Sequence, residues 1–334
     1  MTTDSVALNI LIFIVGLTLL VVGSDWFIDA AAYIAHKFDV PDVIIGLTLV
    51  SIGTSLPEFV TNMYSSYQIV QGNLENEGVA LGNIVGSNIT NVLLVLGVAI
   101  VFMKNIPIDK ILFQRDTVIM AICYIIFLAM IFLPMGTNVI SRVEGCILLS
   151  IFIAYMAYLF KIRDQMKAEV ENEAAETEKK VKSGMHAARL MILGGAMVVF
   201  GAQCMVDVVV KWAVDLGVAT QIISATIIAF GTSVPELAIT LSGILKKKND
   251  IALGNIIGSN IFNLVFVLGA STIISPIAID SNIVVFTLPV FAVSGALLVI
   301  FMRTGWALVR WEGFVFLAGY IAFIAYNVKE CLAP

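Results

Sequence analysis

Apolar runs of about 20 residues, the length that carries a helix across a bilayer, recur along the whole of this 334-residue chain. They lie near 7–28, 42–68, 79–102, 112–133, 138–160, 187–213, 219–245, 251–274, 282–302 and 308–328. In hydrocarbon every backbone N–H and C=O must find its partner within the protein, so such a chain is confined to a bundle of membrane helices. Only 13% of the residues are charged, against roughly 25% in a soluble domain. The expected fold class is an all-α polytopic membrane protein with ten transmembrane helices. The apolar N-terminal stretch has no basic flank and no cleavage site, and reads as the first span, not a signal peptide.

Loop charge sets the orientation. With both termini outside, the inner loops collect 16 of the 19 Lys and Arg, and Arg142, Lys211 and Lys329 remain outside. The long polar stretch 161–186 is then a cytoplasmic linker, read as a plain connector. It separates 1–160 from 187–334, two units of five spans each. The net charge of −5 says little, because charge is sorted by loop, and nothing suggests nucleic-acid binding. The four cysteines are scattered, with no CxxC pair, so neither zinc nor a disulfide framework is implied. His36 and His186 are isolated at helix ends.

Within the apolar runs lies a duplicated motif: GTSLPE at 53–58 with GNIVGSNITN at 82–91, then GTSVPE at 231–236 with GNIIGSNIFN at 254–263. The halves align without a gap from Gly23 to Glu58 against Gly201 to Glu236, at an offset of 178. Six extra residues around Gln71–Glu77 then change the offset to 172, which holds through Gly82/Gly254, Ser87/Ser259 and Asn91/Asn263. Five spans per half is an odd number, so the second copy enters the membrane from the opposite side. Inverted repeats with helices broken at corresponding places are the pattern of a secondary transporter, with its substrate near the midplane between the repeats. The motifs predict breaks in helices 2, 3, 7 and 8.

The motif chemistry suits a hard cation. Pro57 and Pro235 each remove a backbone donor, so nearby carbonyls lose partners and become potential ligands. Thr54, Ser55, Thr232 and Ser233 add hydroxyl oxygens, while Glu58 and Glu236 add charge at bilayer depth, where an ionisable group is functional by default. Ser87 and Asn91 lie at i and i+4, as do Ser259 and Asn263, so each pair shares a helix face. Calcium takes roughly 6–8 oxygens, about the number that two bidentate glutamates and two carbonyls begin to supply; magnesium prefers a smaller octahedral shell. Asp25 and Asp29, the latter repeated as Asp207, sit near span ends, and a helix-end or packing role suits them better than coordination.

These paired motifs resemble the alpha repeats of the cation/calcium antiporter superfamily, most closely those of prokaryotic sodium/calcium exchangers. VVGSDWFIDAA at 21–31 resembles that family's first helix, and the similarity spans essentially the whole chain. The resemblance implies an electrogenic antiporter exchanging about three sodium ions for one calcium ion by alternating access, with no cofactor and no enzymatic activity. It implies Glu58 and Glu236 as shared central ligands, backbone carbonyls of Thr54 and Thr232 on calcium, and Asn91 and Asn263 lining the middle site. Ser55, Ser233, Ser87, Ser259 and the carbonyls of Ser51 and Ala229 would serve sodium; Ser51 departs from the small apolar residue expected there. The partners implied are the two ions and the lipid bilayer, with the protein working as a monomer in a prokaryotic plasma membrane.

Related readings stay open at this point. A proton/calcium antiporter usually has an acid after the GN turn, and these turns read GNIVGS and GNIIGS. A potassium-dependent exchanger is associated with an aspartate where Asn91 or Asn263 stands. A channel would call for a continuous pore instead of an internal inverted repeat. An intramembrane hydrolase using Ser55 or Ser233 would have no basic partner at depth.

Overall fold

The first apolar run continues past its expected end, because the alanine-rich DAAAYIAHK segment favours helix, and α1 spans Val6–Lys37 before the chain turns ahead of Pro41. The computed structural model describes residues 2, 5–38, 40–72, 77–108, 110, 112–132, 139–162, 183–217, 229–279 and 283–332. Most of the polar linker, residues 73–76 of the six-residue excess and residues 218–228 of the seventh run lie outside these.

After α1 come α2 (Asp42–Thr54) and α3 (Leu56–Val70), which meet at 48°. Next are α4 (Ala80–Met103), α5 (Leu112–Phe132), α6 (Arg142–Ile162) and α7 (Gly184–Asp215). The second half continues with α8 (Ala229–Thr232), α9 (Val234–Leu245), α10 (Asn249–Ile274), α11 (Ile283–Arg303) and α12 (Arg310–Leu332). Eight of these helices are long and apolar enough to cross a membrane, and the bent α2–α3 pair makes a ninth span. The protein is an integral membrane protein of polytopic, all-helical build.

Two helices are central. The apolar windows of α4 and α10 are 78% and 94% buried, whereas that of α1 is 22% buried. Both run unbroken, which corrects the expectation of breaks in the third and eighth runs. Instead of interrupting α10, its motif glycines admit α2: a Cβ on Gly254 would stand 2.8 Å from the Val43 carbonyl, and one on Gly258 2.6 Å from that of Leu47. The irregularity that remains is a π-helical stretch in each, at Asn91–Leu96 and Asn263–Val267. Such stretches mark functional positions more often than chance would place them.

α1 and α7 pack antiparallel through glycine. Gly16 meets the Gly201 carbonyl and Gly23 the Gly194 carbonyl, where an added Cβ would come within 2.9 and 2.7 Å. Two short antiparallel ribbons close opposite ends of α5. β1 (Asn105–Pro107) pairs with β4 (Ala307–Val309), Ile106 opposite Leu308. β2 (Val139–Ile140) pairs with β3 (Ile277–Ala278), Ile140 opposite Ile277. Each ribbon leads into a helix start capped by a glutamate: Glu144 accepts from Ser141 N at 2.6 Å, and Glu312 from Val309 N at 2.8 Å.

Candidate ion-binding site

Both GTS(L/V)PE segments form a hinge. Between α2 and α3 the helical ladder closes with Ser55 N donating to Ser51 O at 3.0 Å and resumes with Phe59 N donating to Ser55 O at 3.1 Å. Pro57 lies in between with no N–H to give, so the carbonyls of Ile52, Gly53 and Thr54 fall in the gap. The second copy does the same: Ser233 N donates to Phe230 O at 3.0 Å and Leu237 N to Ser233 O at 3.1 Å, with Pro235 between them. Each hinge delivers a glutamate, Glu58 or Glu236, into the first turn of the following helix. An acidic side chain is electrostatically favoured there.

The expected site residues converge. Glu58, Glu236, Ser55, Ser233, Asn91, Asn263, Ser259 and Ser51 are fully buried, and Thr54 and Ser87 nearly so. Ser55 donates to Glu236 Oε1 at 3.1 Å and Ser87 to Glu58 Oε1 at 3.4 Å. The Thr54 hydroxyl lies 3.4 Å from that of Ser259, and the Ser87 hydroxyl 3.5 Å from that of Thr232. Ser51 turns its hydroxyl back to Leu47 O at 2.8 Å, and its carbonyl accepts from Ser55 N. Only the backbone of Ala229 is described, at the start of α8.

What the arrangement leaves unpaired is informative. Glu58 Oε2, Glu236 Oε2, Ser233 Oγ, Asn263 Oδ1 and both amide atoms of Asn91 are buried without a hydrogen-bond partner. Buried polar atoms are normally satisfied, so orphans clustered beside two carboxylates are atoms available to a ligand. Among the described residues neither glutamate has a basic side chain within ion-pair distance, and each lies within electrostatic reach of the other. Two buried carboxylates without counter-charge are costly to keep ionised. A cation among them removes that cost. Among the described residues no group of three or more His, Cys, Asp or Glu could hold a metal ion; the oxygens beside the two carboxylates are those of hydroxyls and amides.

A further layer of residues, not singled out from the sequence, holds this set in place. Thr54 donates to Asn255 Oδ1 at 3.0 Å, and Asn255 Nδ2 donates to Thr240 Oγ1 at 3.1 Å. In the other half Asn83 Nδ2 donates to Asn62 Oδ1 at 3.0 Å. Asn62/Thr240 and Asn83/Asn255 stand at the same offsets of 178 and 172, so the repeat alignment carried the signal. A cavity of about 2010 Å³ reaches the site between α7, α11 and α12, lined at its deep end by Gly53, Pro57, Gly86 and Thr232. Asp25 and Asp29 take no part in the site. Lys246 lies 2.9 Å from Asp29 and 3.5 Å from Asp25, and Ser242 donates to Asp25 at 2.6 Å, which ties α1 to the end of α9.

Comparison with known proteins agrees with this picture. The family model described as "Sodium/calcium exchanger protein" matches residues 8–161 and 186–329. The sodium/calcium exchanger MaX1 of Methanosarcina acetivorans is 32% identical over 96% of this chain and 98% of its own length. The inner membrane protein YrbG of Escherichia coli is 34% identical over 80% of this chain and 81% of its own. A solved structure of the sodium-calcium exchanger NCX_Mj, soaked with sodium and calcium, superposes with a TM-score of 0.78 at 33% identity, covering 96% of this chain and 99% of that one. The chain belongs to the sodium/calcium exchanger family.

Proposed function

We propose that this protein is a secondary antiporter that exchanges sodium for calcium by alternating access. The observation that carries the reading is the pair of buried carboxylates, Glu58 and Glu236, each with an unpartnered oxygen and, among the described residues, neither with a basic neighbour. Two ionised glutamates balance one calcium ion or two sodium ions. At about three sodium ions per calcium ion, the ratio that the resemblance to the family implies, the sodium-loaded carrier would hold one uncompensated positive charge and the cycle would be electrogenic.

In this proposal Glu58 and Glu236 are the central ligands and the Thr54 and Thr232 carbonyls complete the calcium shell. Asn91 and Asn263 line the middle site. Ser55, Ser233, Ser87 and Ser259, with the carbonyls of Ser51 and Ala229, receive sodium. The architecture proposed is ten helices in two inverted repeats, 1–160 and 187–334, joined by a cytoplasmic linker, with both termini outside and the monomer as the working unit. Contacts that exchange under the repeat offset support it. The Gly16–Gly201 contact maps onto Gly194–Gly23.

The cavity lining follows α7 from Met191 to Val214 and includes Thr61, Asn83 and Lys211, which this orientation puts on the outer side. The Thr54–Asn255–Thr240 chain lies on the inner side of the site, as in an outward-facing carrier. The deciding experiment is calcium uptake into sodium-loaded proteoliposomes, with and without an imposed membrane potential. Uptake that requires internal sodium and responds to the potential is expected; uptake indifferent to sodium overturns the proposal.

A further inference from the structure

Asn263 and Asn91 occupy equivalent positions in the two repeats, yet their surroundings differ. Asn263 Nδ2 donates to Asn88 Oδ1 at 3.2 Å, and its Oδ1 is buried without a partner. Both amide atoms of Asn91 are buried without a partner. The residue that corresponds to Asn88 in the second repeat, at the offset of 172, is Asn260. That side chain is committed elsewhere: its Nδ2 donates to Ile256 O at 2.8 Å, and its Oδ1 accepts from the Tyr124 hydroxyl at 3.2 Å.

An amide can be turned either way, and its orientation follows from the network around it. Here the network has a one-way anchor. The Asn260 backbone carbonyl only accepts, and Asn88 Nδ2 donates to it at 3.1 Å. Asn88 therefore has its Oδ1 left for Asn263. That oxygen in turn demands the NH₂ end of Asn263, so the Asn263 oxygen is left facing the site. Asn88, Asn260 and Asn263 are fully buried, away from bulk water, and reversing any one of them leaves two like atoms face to face.

We infer that Asn88 is a positioning residue: it locks the Asn263 side chain with its oxygen toward the transported cation, while Asn91 is left free to rotate. The inference rests on the proposed ion site and deepens it. A neutral amide serves a cation through its oxygen and opposes it through its NH₂ group, so the lock turns Asn263 into a dependable ligand without added charge. Asn91, unlocked, can present either end as the occupant changes. The two middle-site amides are thus unequal in a site whose ligands come in pairs.

The lock matters only while position 263 is an amide. A carboxylate offers oxygen at both ends, and Asn88 Oδ1 would face it unfavourably. The test is equilibrium binding of radiolabelled calcium to purified protein in sodium-free detergent solution, with Asn88→Leu made in the wild-type and Asn263→Asp backgrounds. Asn88→Leu should weaken calcium binding about tenfold, the loss expected for one misdirected ligand, in the wild-type background. In the Asn263→Asp background it should have no effect or strengthen binding. Asn88→Ala serves as the second variant if the leucine protein does not unfold at the wild-type temperature. An equal loss in both backgrounds makes Asn88 a packing residue and overturns the inference, as does no loss in either. Absence of calcium binding by the wild type would overturn the ion site itself, which is a separate outcome.

Discussion

Ser55, at the hinge of one repeat, donates a hydrogen bond to Glu236 of the other at 3.1 Å across 181 positions of sequence. That bond spends one carboxylate oxygen and leaves Glu236 Oε2 unpartnered. Glu58, whose Oε1 accepts from Ser87, is left in the same state. The site is therefore organised so that each carboxylate is held by one oxygen and open at the other.

Replacing either carboxylate should end calcium transport. Glu58→Gln and Glu236→Gln keep shape and hydrogen bonding but remove half the charge that neutralises a divalent ion in a low-dielectric site. Each variant is expected to purify as folded protein, with sodium-driven calcium uptake reduced at least a hundredfold. Robust uptake by either would exclude the two-glutamate site.

Activity should fall with pH. Protons and calcium compete for the same carboxylate oxygens, and a protonated glutamate offers the cation no charge. Transport is therefore expected on the alkaline side, where both glutamates are ionised, and is lost as the solution is acidified. Raising calcium should restore part of the acid-suppressed rate, because the competition is mutual. A pH profile that calcium does not shift would contradict this.

Potassium should be neither required nor moved. The described site holds two carboxylates and two neutral amides, Asn91 and Asn263, so it has no third negative charge to draw in a further cation. Sodium-driven calcium uptake should proceed unchanged when choline replaces potassium on both sides. Asn263→Asp should change the charge moved per cycle or introduce a dependence on protons or potassium, read from transport currents across a planar membrane. Dependence of the wild type on potassium would refute the reading.

Lys246 should matter to stability. It bridges Asp25 and Asp29 of α1 and also donates to the Asp25 carbonyl at 2.7 Å. The cluster is only partly exposed, so a network of this kind contributes about 1 kcal/mol, more than an isolated surface pair. Lys246→Met should lower the melting temperature in detergent by a few degrees, and Lys246→Arg should restore most of the loss. Identical melting of Lys246→Met and wild type would show that α1 is held by its glycine packing alone.

Much was legible in the chain because membrane physics makes sequence explicit. Apolar runs had to be helices, Pro57 and Pro235 had to interrupt the ladder, and two carboxylates repeated at one offset pointed to a candidate site. Asp25 and Asp29 were expected outside the site from their place near a span end; α1 in fact runs on to Lys37, and the two are held by Lys246 instead. The motif of the eighth run was expected to break that helix, yet its glycines Gly254 and Gly258 admit α2 at close range. Whether a glycine loosens a helix or lets a neighbour approach depends on what stands opposite, and that is absent from a single sequence.

Sequence by itself determined the membrane class, the duplicated motif and which oxygen-bearing residues recur at matching positions in both halves. Tertiary structure alone decided how those donors are held. Ser55 and Glu236 come together because separate hinges are folded onto α4 and α10. Asn263 is oriented, and Asn91 left open, because Asn88 meets the Asn260 carbonyl across those two central helices. The repeat supplies chemically similar halves, but hydrogen bonds are directional and each atom can be spent only once. The asymmetry of the site is thus a property of the packed structure.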